Sequence, residues 1–493
     1  MAIVEEVSEE EHTGQPGPRS AGELLRVVQE LSKRLALPED LLPSFLNEDK
    51  PGAAEPELRL KLRDLASAAL EIYKDHAISV LRQIQSHVGT SAWGGMSLEN
   101  QATVMLDVTH LYGSDPWTSQ DIKRMIDGKH WCNWVTLTEE LSLSMDRPAI
   151  ALHLLTHPIR TWFANPHPML NPETARAMAR PAGGSDAMMD FQDAPSQPWK
   201  HAAAWGCHNV LRWSVSQLDA GQVEARIGVI LPPTLTLMDD WEPPWRGRGV
   251  SVMESWVNQL DEITMKRMGM DRLLLNSLLH TLELHPSPPL PHVLPATLRL
   301  IERTTDGANK AEILAEVMQK AIVSGWTYAP SGPEGRGVLV EIAKEVEKMC
   351  DVLGTGIARW LKASPTIVPN LLSPLQYPPT PAVALHFKAN VSALLYVMRT
   401  LRETTRVSRW RGQILDVLGR LWVHLVEREK EDRAVGGDRS DGDDSGFVAE
   451  LKGLVRSIVV ELEKQCPDMR NDELQRMVQL DEGVFGGLIR VSA

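Results

Sequence analysis

The chain has few cysteines, few phenylalanines and tyrosines, and no long apolar run. Only four cysteines occur among 493 residues, all far apart and none in a Cys-x-x-Cys pair, which argues against a disulfide framework and a zinc ribbon. The longest uncharged stretch, residues 364–387, contains six prolines, which a membrane-spanning helix does not tolerate. These absences predict a soluble protein of a reducing compartment.

An excess of basic residues is also missing. Lys and Arg number 51 against 65 Asp and Glu, a formal net charge of −14. A surface that clamps a phosphate backbone carries the opposite sign, so nucleic acid is a poor candidate partner. The segment Met1–Glu11 holds five glutamates, whereas a secretory signal needs basic and then apolar residues. Secretion is therefore not expected.

Apolar residues recur at steps of three and four in several long segments. Three such stripes lie in residues 58–84, 410–426 and 447–462, and this spacing places side chains on one face of a helix. Alternating apolar and polar runs joined by Asn-Gly or Asp-Gly turns, which are typical of strands, are not found. The sequence predicts an all-α protein.

Composition also divides the chain. We expect a disordered acidic arm at residues 1–20, a helical block at 21–164 and a Pro/Gly-rich linker at 165–198. A longer helical block then covers 199–493, and the polar insertion 432–446 within it is predicted to be a mobile loop. A solvated spacer explains the acidity of that loop better than a site for a basic partner.

An internal repeat is the strongest signal in the chain. The segment Leu231-Pro-Pro-Thr-Leu-Thr-Leu237 recurs sixty-three residues later as Leu294-Pro-Ala-Thr-Leu-Arg-Leu300, with five of seven positions identical. A weaker copy begins at Val368. Paired helices joined by a short turn cannot bury both apolar faces alone, so repeated pairs predict a stack, an α-solenoid.

The first copy continues into a turn with recognisable parts. An apolar helix is predicted to end at Met238, and Asp239-Asp240 with Pro243-Pro244 to form the turn before a second helix. Proline is tolerated in the first turn of a helix, where a carboxylate can also cap free amides. Arg246, one turn into the second helix, can reach back to such an aspartate.

This block resembles a HEAT repeat and, more narrowly, the Tel-two-interacting protein family, second member. The resemblance rests on Leu231 to Asp240 followed by Trp245-Arg246 and Gly249, is clear over about residues 199–325, and looks like that of a fungal member. Family members commonly carry Lys where Arg246 stands, and Arg keeps the charge but offers a planar fork of donors. The motif residues predicted to bind partners are Leu231, Pro232, Leu235, Asp239, Asp240, Trp241, Trp245, Arg246 and Gly249.

The resemblance implies a protein without chemistry of its own. Such a protein is the smallest subunit of the TTT complex, a HEAT-type scaffold that joins two larger helical subunits and needs no cofactor. With the ninety-kilodalton heat-shock chaperone, the complex matures and stabilises phosphatidylinositol-3-kinase-related kinases. Indirect roles in DNA-damage checkpoints, TOR signalling and telomere maintenance follow, with a cytoplasmic and nuclear location and no direct contact with nucleic acid or membrane.

Candidate chemistry is weak by comparison. His153 and His157 have the spacing of two zinc ligands, with His167 nearby, but no Glu completes a His-Glu-x-x-His motif and Pro158 follows the pair. Asp239-Asp240 is more typical of a helix cap than of an acid/base pair. No phosphate loop is present. Two alternatives stay open: a HEAT-type transport or trafficking adaptor, and an all-α metal-dependent enzyme using His153, His157 and Asp239.

Tryptophan is over-represented, with fifteen residues against six Phe and five Tyr. Trp199, Trp205 and Trp213 lie near helical spacing in the first helix of the repeat block, and we expect them to fill the cores between repeats. Trp241 stands between two acidic residues and is predicted to be exposed, as an interface anchor.

Overall fold

The structure is a computed structural model. The residues that it describes are 20–38, 41, 56–88, 91–127, 146–181, 184, 197–284, 289–361, 367–434 and 444–489. They divide into two compact units, residues 1–270 and 271–493.

The first unit is built from twelve described helices, several capped by a side chain at the first turn. Ser20, Ser97, Asp146 and Asp261 each accept a hydrogen bond from a first-turn amide of the helix that follows, as capping residues do. A π-helical segment at Leu155–Ile159 joins two of the helices. The helices are α1 (Ala21–Lys33), α2 (Pro56–His87), α3 (Ser91–Gly94), α4 (Leu98–Thr109), α5 (Gln120–Asp127), α6 (Arg147–Leu154), α7 (Arg160–Trp162), α8 (Cys207–Ser216), α9 (Ala220–Ala225), α10 (Ile227–Met238), α11 (Pro243–Trp256) and α12 (Glu262–Met268).

The second unit contains longer helices, with short 3₁₀ turns between several of them. Its core helix α19 packs against α17 and α21. The described helices are α13 (Met270–Thr281), α14 (Leu290–Thr304), α15 (Gly307–Val317), α16 (Ser324–Tyr328), α17 (Gly332–Leu353), α18 (Ile367–Leu372), α19 (Ala384–Thr400), α20 (Arg411–Ala434), α21 (Asp444–Gln465), α22 (Glu473–Leu480) and α23 (Glu482–Ile489).

The predicted all-α class is confirmed. Within the described ranges the backbone forms helices and turns, and one isolated antiparallel bridge joins Leu170 to Ala177. The predicted acidic arm lies outside the described residues except for Ser20. The predicted loop 432–446 also lies largely outside them, between the end of α20 at Ala434 and the start of α21 at Asp444.

Two of the three predicted stripes are largely buried, with half-buried residues such as Trp410 and Phe447 among them, and the third is buried only in part. Leu418 and Leu421 of α20 and Ile458 and Leu462 of α21 are fully buried. On α2, by contrast, Val80, Leu81 and Ile84 are buried, but Leu65 and Ile72 are exposed. Steps of three and four drift around a long helix, so the spacing alone merged two faces of α2 into one.

Both copies of the repeat lie inside a proline-containing helix. In α10, Thr234 Oγ1 donates to the Ile230 carbonyl oxygen at 2.7 Å, and in α14 Thr297 Oγ1 donates to the Val293 carbonyl oxygen at 2.9 Å. Both threonines are fully buried, as are the leucines that open the two copies, Leu231 and Leu294. The residues that the two copies share therefore form the same local structure in α10 and in α14.

The division into units differs from the predicted domains. The boundary lies at 270/271, and unit 1 contains both the predicted linker and the start of the predicted second block. Part of that linker packs into the unit: His167 and Leu170 are buried, and Ala177 N donates to the Met268 carbonyl oxygen at 3.1 Å. Residues 165–181 therefore form a packed, proline-containing loop, which composition alone does not distinguish from a linker.

One segment, Pro381–Thr400, is long and apolar enough to cross a membrane by length and composition. It comprises a short 3₁₀ turn and α19, and 56% of its apolar window is buried inside the protein. The buried side chains include Phe387, Val391 and Leu394. This burial is typical of a core helix.

Candidate functional site

The family-like motif occupies a tight helix hairpin. Helix α10 ends at Met238, as predicted, and α11 begins at Pro243. Gly249 lies against Met238, so closely that a Cβ added there would be 2.5 Å from Met238 N, and further along the pair Trp256 Nε1 donates to Thr234 Oγ1 at 3.2 Å. Gly249, early in α11, contacts the last residue of α10, whereas Trp256, at the end of α11, contacts the earlier residue Thr234. The two helices are therefore antiparallel.

The apolar members of the motif form the inner face of this hairpin. Leu231 and Leu235 are fully buried, whereas Pro232 is half-buried. Because proline has no N–H, Pro232 and Pro233 donate no helical hydrogen bond to the carbonyls of Gly228 and Val229. These four residues border a cavity of about 490 Å³, whose other walls include Ile159, Phe163, His167, Leu170, Asn171 and Ala175.

Asp240 organises the turn between the helices. Its buried carboxylate accepts a hydrogen bond from Glu242 N at 2.8 Å, and its other oxygen lies 3.0 Å from Lys200 Nζ. Lys200 also contacts Glu242 Oε1 at 2.7 Å. Burial raises the pKa of Asp240, with Lys200 acting in the opposite direction. The cation that pairs with this aspartate therefore comes from forty residues upstream.

Arg246 does reach back to Asp240, but to a different atom from the one expected. Its Nε donates to the main-chain carbonyl oxygen of Asp240, and the side chain is buried. An arginine one turn into a helix points back toward the chain that enters it, and the carboxylate of Asp240 is already held by Lys200 and Glu242 N. The residue thus fixes the backbone of the turn.

Asp239 faces the loop that precedes the hairpin. Its Oδ2 lies 3.3 Å from His167 Nε2, and His167 is buried. Ala175 in the same loop has a φ of 52°, a left-handed conformation that is uncommon for a residue with a Cβ. The contact between His167 and Asp239 therefore holds this loop against the end of α10.

The two tryptophans beside the turn have opposite surroundings. Trp245 is fully buried and meets Trp199 edge-on, with ring centroids 4.8 Å apart. Trp241 is 58% exposed. Lys200 Nζ lies 4.9 Å from the ring centroid of Trp199 and 5.4 Å from that of Trp241, so a cation fixed by two carboxylates stands between a buried and an exposed indole.

The upstream tryptophans are buried, but not on one helix. Trp199 lies in the 3₁₀ turn Pro198–Lys200, Trp205 in the turn before α8, and Trp213 within α8. All three are buried. Helical spacing grouped them correctly as interior residues, whereas their placement follows from the turns at Pro198 and Gly206.

A buried ionic cluster lies beside the hairpin, and sequence reasoning missed it. Asp115 accepts hydrogen bonds from His208 Nε2 at 2.9 Å and Asn209 Nδ2 at 2.8 Å, and from Arg248 Nε and Nη2 at 3.1 and 2.9 Å. Burial would raise the pKa of Asp115, but His208, Arg248 and Asn209 together hold it well below its usual range. We call Asp115, His208, Asn209 and Arg248 the Asp115 cluster.

The cluster joins three separate parts of unit 1. Asp115 lies after α4, His208 and Asn209 lie in α8, and Arg248 lies in α11. Arg248 also lies 4.8 Å from the ring centroid of Trp245 and 5.7 Å from that of Trp117. Partners more than ninety positions apart leave no local pattern in a single sequence. The cluster ties the hairpin to the preceding helices.

The residues around the cluster offer little reactivity. His208 donates its Nε2 proton, since a carboxylate only accepts, and burial lowers its pKa although Asp115 opposes this. Burial also raises the pKa of Cys207 to about 12, and its thiol donates to the Trp199 carbonyl oxygen at 3.4 Å. A protonated, buried thiol is a poor nucleophile. This arrangement supports packing and docking better than catalysis.

The histidine pair considered as metal ligands is also placed. His153 and His157 stack with ring centroids 4.0 Å apart, and His157 Nδ1 lies 3.0 Å from the His153 carbonyl oxygen. His167 pairs with Asp239 instead. Among the described residues, no group of three or more His, Cys, Asp or Glu side chains is arranged to hold a metal ion.

The model of the Tti2 family matches residues 105–382, more than half of the chain, and includes the hairpin, the Asp115 cluster and both copies of the repeat. No curated protein and no solved structure matches the chain.

Proposed function

This chain belongs to the Tti2 family, and from that premise we propose that it is a non-enzymatic scaffold subunit of the TTT co-chaperone complex. In this role it supports the maturation and stability of phosphatidylinositol-3-kinase-related kinases. Its direct partners are the two larger helical subunits of the complex, and it works in the cytoplasm and nucleus. The single observation that carries the proposal is the family match across residues 105–382.

The surface around Trp241 supports a docking role within that proposal. A large aromatic side chain that stays 58% exposed beside two buried tryptophans is the type of residue that dominates binding energy at interfaces. Lys200, which Asp240 and Glu242 hold by ion pairs, lies 5.4 Å from the centroid of this ring. A preformed anchor loses little side-chain entropy on binding.

The fold also supports a role that depends on a rigid surface. Asp240 and Arg246 fix the turn from inside, and the Asp115 cluster ties α11 to α8. A partner therefore meets one geometry of the turn. We place the contact with a larger subunit on the rim formed by Trp241 and Glu242.

Co-purification from the protein's own cells tests the proposal. Tagged wild-type protein should bring down two much larger helical subunits, and its depletion should lower the steady-state level of the kinases. Trp241→Ala should weaken that recovery, by about tenfold or more in affinity, as at a hot spot. Ile263→Ala, another exposed apolar side chain of unit 1, is the matched control and should leave recovery unchanged.

Point variants are preferable to deletion here. Removing residues 199–493 would cut through unit 1, which extends to residue 270, and loss of binding would then report loss of fold. Recovery of cargo proteins or a small GTPase in place of the two subunits would contradict the proposal and favour a transport adaptor. Equal recovery by Trp241→Ala and Ile263→Ala would contradict the placement of the contact.

A further inference from the structure

The proline-rich segment of unit 2 has an unusual conformation for a connection between helices. Residues 377–380 lie between two 3₁₀ turns, Pro374–Gln376 and Pro381–Val383, and the backbone is extended at the first and the last of these four residues. Tyr377 has φ −100° and ψ 157°, and Thr380 has φ −124° and ψ 158°. The sequence dictates this conformation, because Tyr377, Pro378 and Thr380 each precede a proline, and a residue before proline avoids the helical region.

The outward side of this segment is apolar and uncovered. Tyr377 is 68% exposed, and Pro378 and Pro381 are exposed as well. Pro379 is buried, and its carbonyl oxygen accepts a hydrogen bond from Arg428 Nη1 of α20 at 2.9 Å. Pro378 and Pro381 are thus both exposed to solvent, with the spacing of a Pro-x-x-Pro segment, while Pro379 between them is held against α20.

We infer that Tyr377-Pro378-Pro379-Thr380-Pro381 is a docking segment for a proline-recognition domain of another protein. Domains of this kind have a groove lined with aromatic side chains, and Pro-x-x-Pro segments bind there because they are extended in advance. Pro378 and Pro381 fill the groove, and Tyr377 adds an aromatic contact at its end. We call residues 377–381 the proline segment.

The proline segment and its neighbours in sequence lack charged side chains, which restricts the class of domain that can bind. Residues 373–385 contain no Asp, Glu, Lys, Arg or His. A domain that needs an ion pair with a basic residue of the segment finds none, and Arg428, which lies beside the prolines in space, is engaged with the Pro379 carbonyl oxygen. The partner groove is therefore apolar and aromatic, and its affinity changes little with salt, because screening acts on charged groups.

Anchoring from within gives the segment its fixed form. Leu375, one turn before it, is fully buried, and Val383 N donates to the Thr380 carbonyl oxygen at 3.0 Å after it. Together with Arg428 these contacts hold the prolines in place before a partner arrives. The cost of ordering, which flexible proline-rich ligands meet on binding, is reduced.

Titration of the full-length protein with purified EVH1, WW and SH3 domains and with profilin tests this inference. At least one of these aromatic-groove probes should bind, and Pro378→Ala/Pro381→Ala should lose about tenfold or more in affinity. Affinity should stay within about a factor of two between low and high ionic strength. Thermal melting of each variant confirms that unit 2 is still folded.

Matched controls lie in the same unit. Pro333 is an exposed proline in the first turn of α17, and Tyr328 is an exposed tyrosine at the end of α16. Pro333→Ala and Tyr328→Ala should bind as wild type. Absence of binding by all four probes, binding that survives the double substitution in a folded protein, or affinity that collapses with salt would each overturn the inference. None of these outcomes bears on recovery of the two larger subunits through Trp241.

Discussion

Units 1 and 2 are both helical, but their ion pairs differ in how deeply the two partners are buried. In unit 1 a carboxylate, an arginine and a histidine meet inside the fold, at Asp115, Arg248 and His208. In the ion pairs described in unit 2, at least one partner stays in contact with solvent, as in the exposed pair Arg420–Asp416 and in Arg402–Glu461, where only the carboxylate is buried. A buried pair leaves an uncompensated charge when one partner is lost, whereas an exposed pair contributes little. We therefore expect the loss of a charge to cost most in the Asp115 cluster of unit 1, where both partners are largely buried.

The tryptophans are also distributed unevenly between the two units. Of the tryptophans that lie in described residues, nine belong to unit 1 and four to unit 2. Trp117, Trp199 and Trp245 surround or adjoin the Asp115 cluster. Large rings exclude water from the ionic groups and strengthen their interaction. The motif of the family sits in this setting, on α10 and α11.

The sharpest test of the comparison removes the central carboxylate. Asp115→Asn leaves the Arg248 side chain, which is only 12% exposed, without its anion, and we expect the free energy of unfolding of unit 1 to fall by about 3–5 kcal/mol. The control in unit 2, Asp416→Asn, removes an exposed i, i+4 partner of Arg420 and should cost about 0.5 kcal/mol or less. Urea unfolding of both variants measures the difference. Equal losses would mean that the buried cluster is no more important than a surface pair.

Glycine gives a second test, with opposite signs in the two units. A Cβ on Gly249 would lie 2.5 Å from Met238 N, whereas a Cβ on Gly337 of α17 would meet nothing within 4 Å. Gly249→Ala must push α10 and α11 apart and should cost about 1–3 kcal/mol. Gly337→Ala should gain about 0.5–1 kcal/mol from helix propensity. Thermal unfolding checks both, and a neutral Gly249→Ala would show that the hairpin is loosely packed.

Acid should weaken unit 1 before its carboxylates are protonated. His110 is buried against Trp162 and Trp205, and burial, with His208 adding to the effect, lowers its pKa to about 3. The unfolded chain binds a proton near pH 6.5 and the folded chain does not, so stability is lost as pH falls from about 6.5 toward 3. The slope for this one group approaches about 1.4 kcal/mol per pH unit.

A variant without the imidazole of His110 tests whether this residue causes the loss of stability in acid. His110→Phe keeps a ring between the two tryptophans but cannot take up a proton. Its free energy of unfolding should fall less steeply than that of the wild type between pH 6.5 and 5, by urea titration at each pH. Parallel pH profiles for the two proteins would show that His110 takes up its proton as readily in the folded protein as in the unfolded chain.

Local features of the sequence predicted local structure well. Periodicity gave the all-α class, and the end of α10 at Met238 and the exposed position of Trp241 followed from the letters around them. The repeated Leu-Pro and Thr-Leu letters predicted two like helices, which α10 and α14 are. In each case the physical cause acts within one or two helical turns.

Contacts between residues far apart in the chain could not be predicted from the sequence, for a physical reason. Lys200 rather than Arg246 pairs with the Asp240 carboxylate, and Asp115 collects donors from 93 to 133 positions away. Nothing near Asp115 in the sequence indicates which cation will reach it. The loop at residues 165–181 is a second example. Its prolines are typical of a linker, and the contact of His167 with Asp239, seventy-two positions away, is not visible in the sequence.

The smallest expected effect on stability belongs to the residue on which the docking proposal depends. Trp241 is 58% exposed and contacts Lys200 across 5.4 Å, an exposed cation–π contact of about 0.5–1 kcal/mol. Trp241→Ala should therefore change the free energy of unfolding by about 1 kcal/mol or less, similar to Leu480→Ala on the exposed face of α22 in unit 2. Differential scanning calorimetry compares the two variants. A loss of more than about 2 kcal/mol would identify Trp241 as a packing residue, and any weakening of the complex would then follow from a damaged turn.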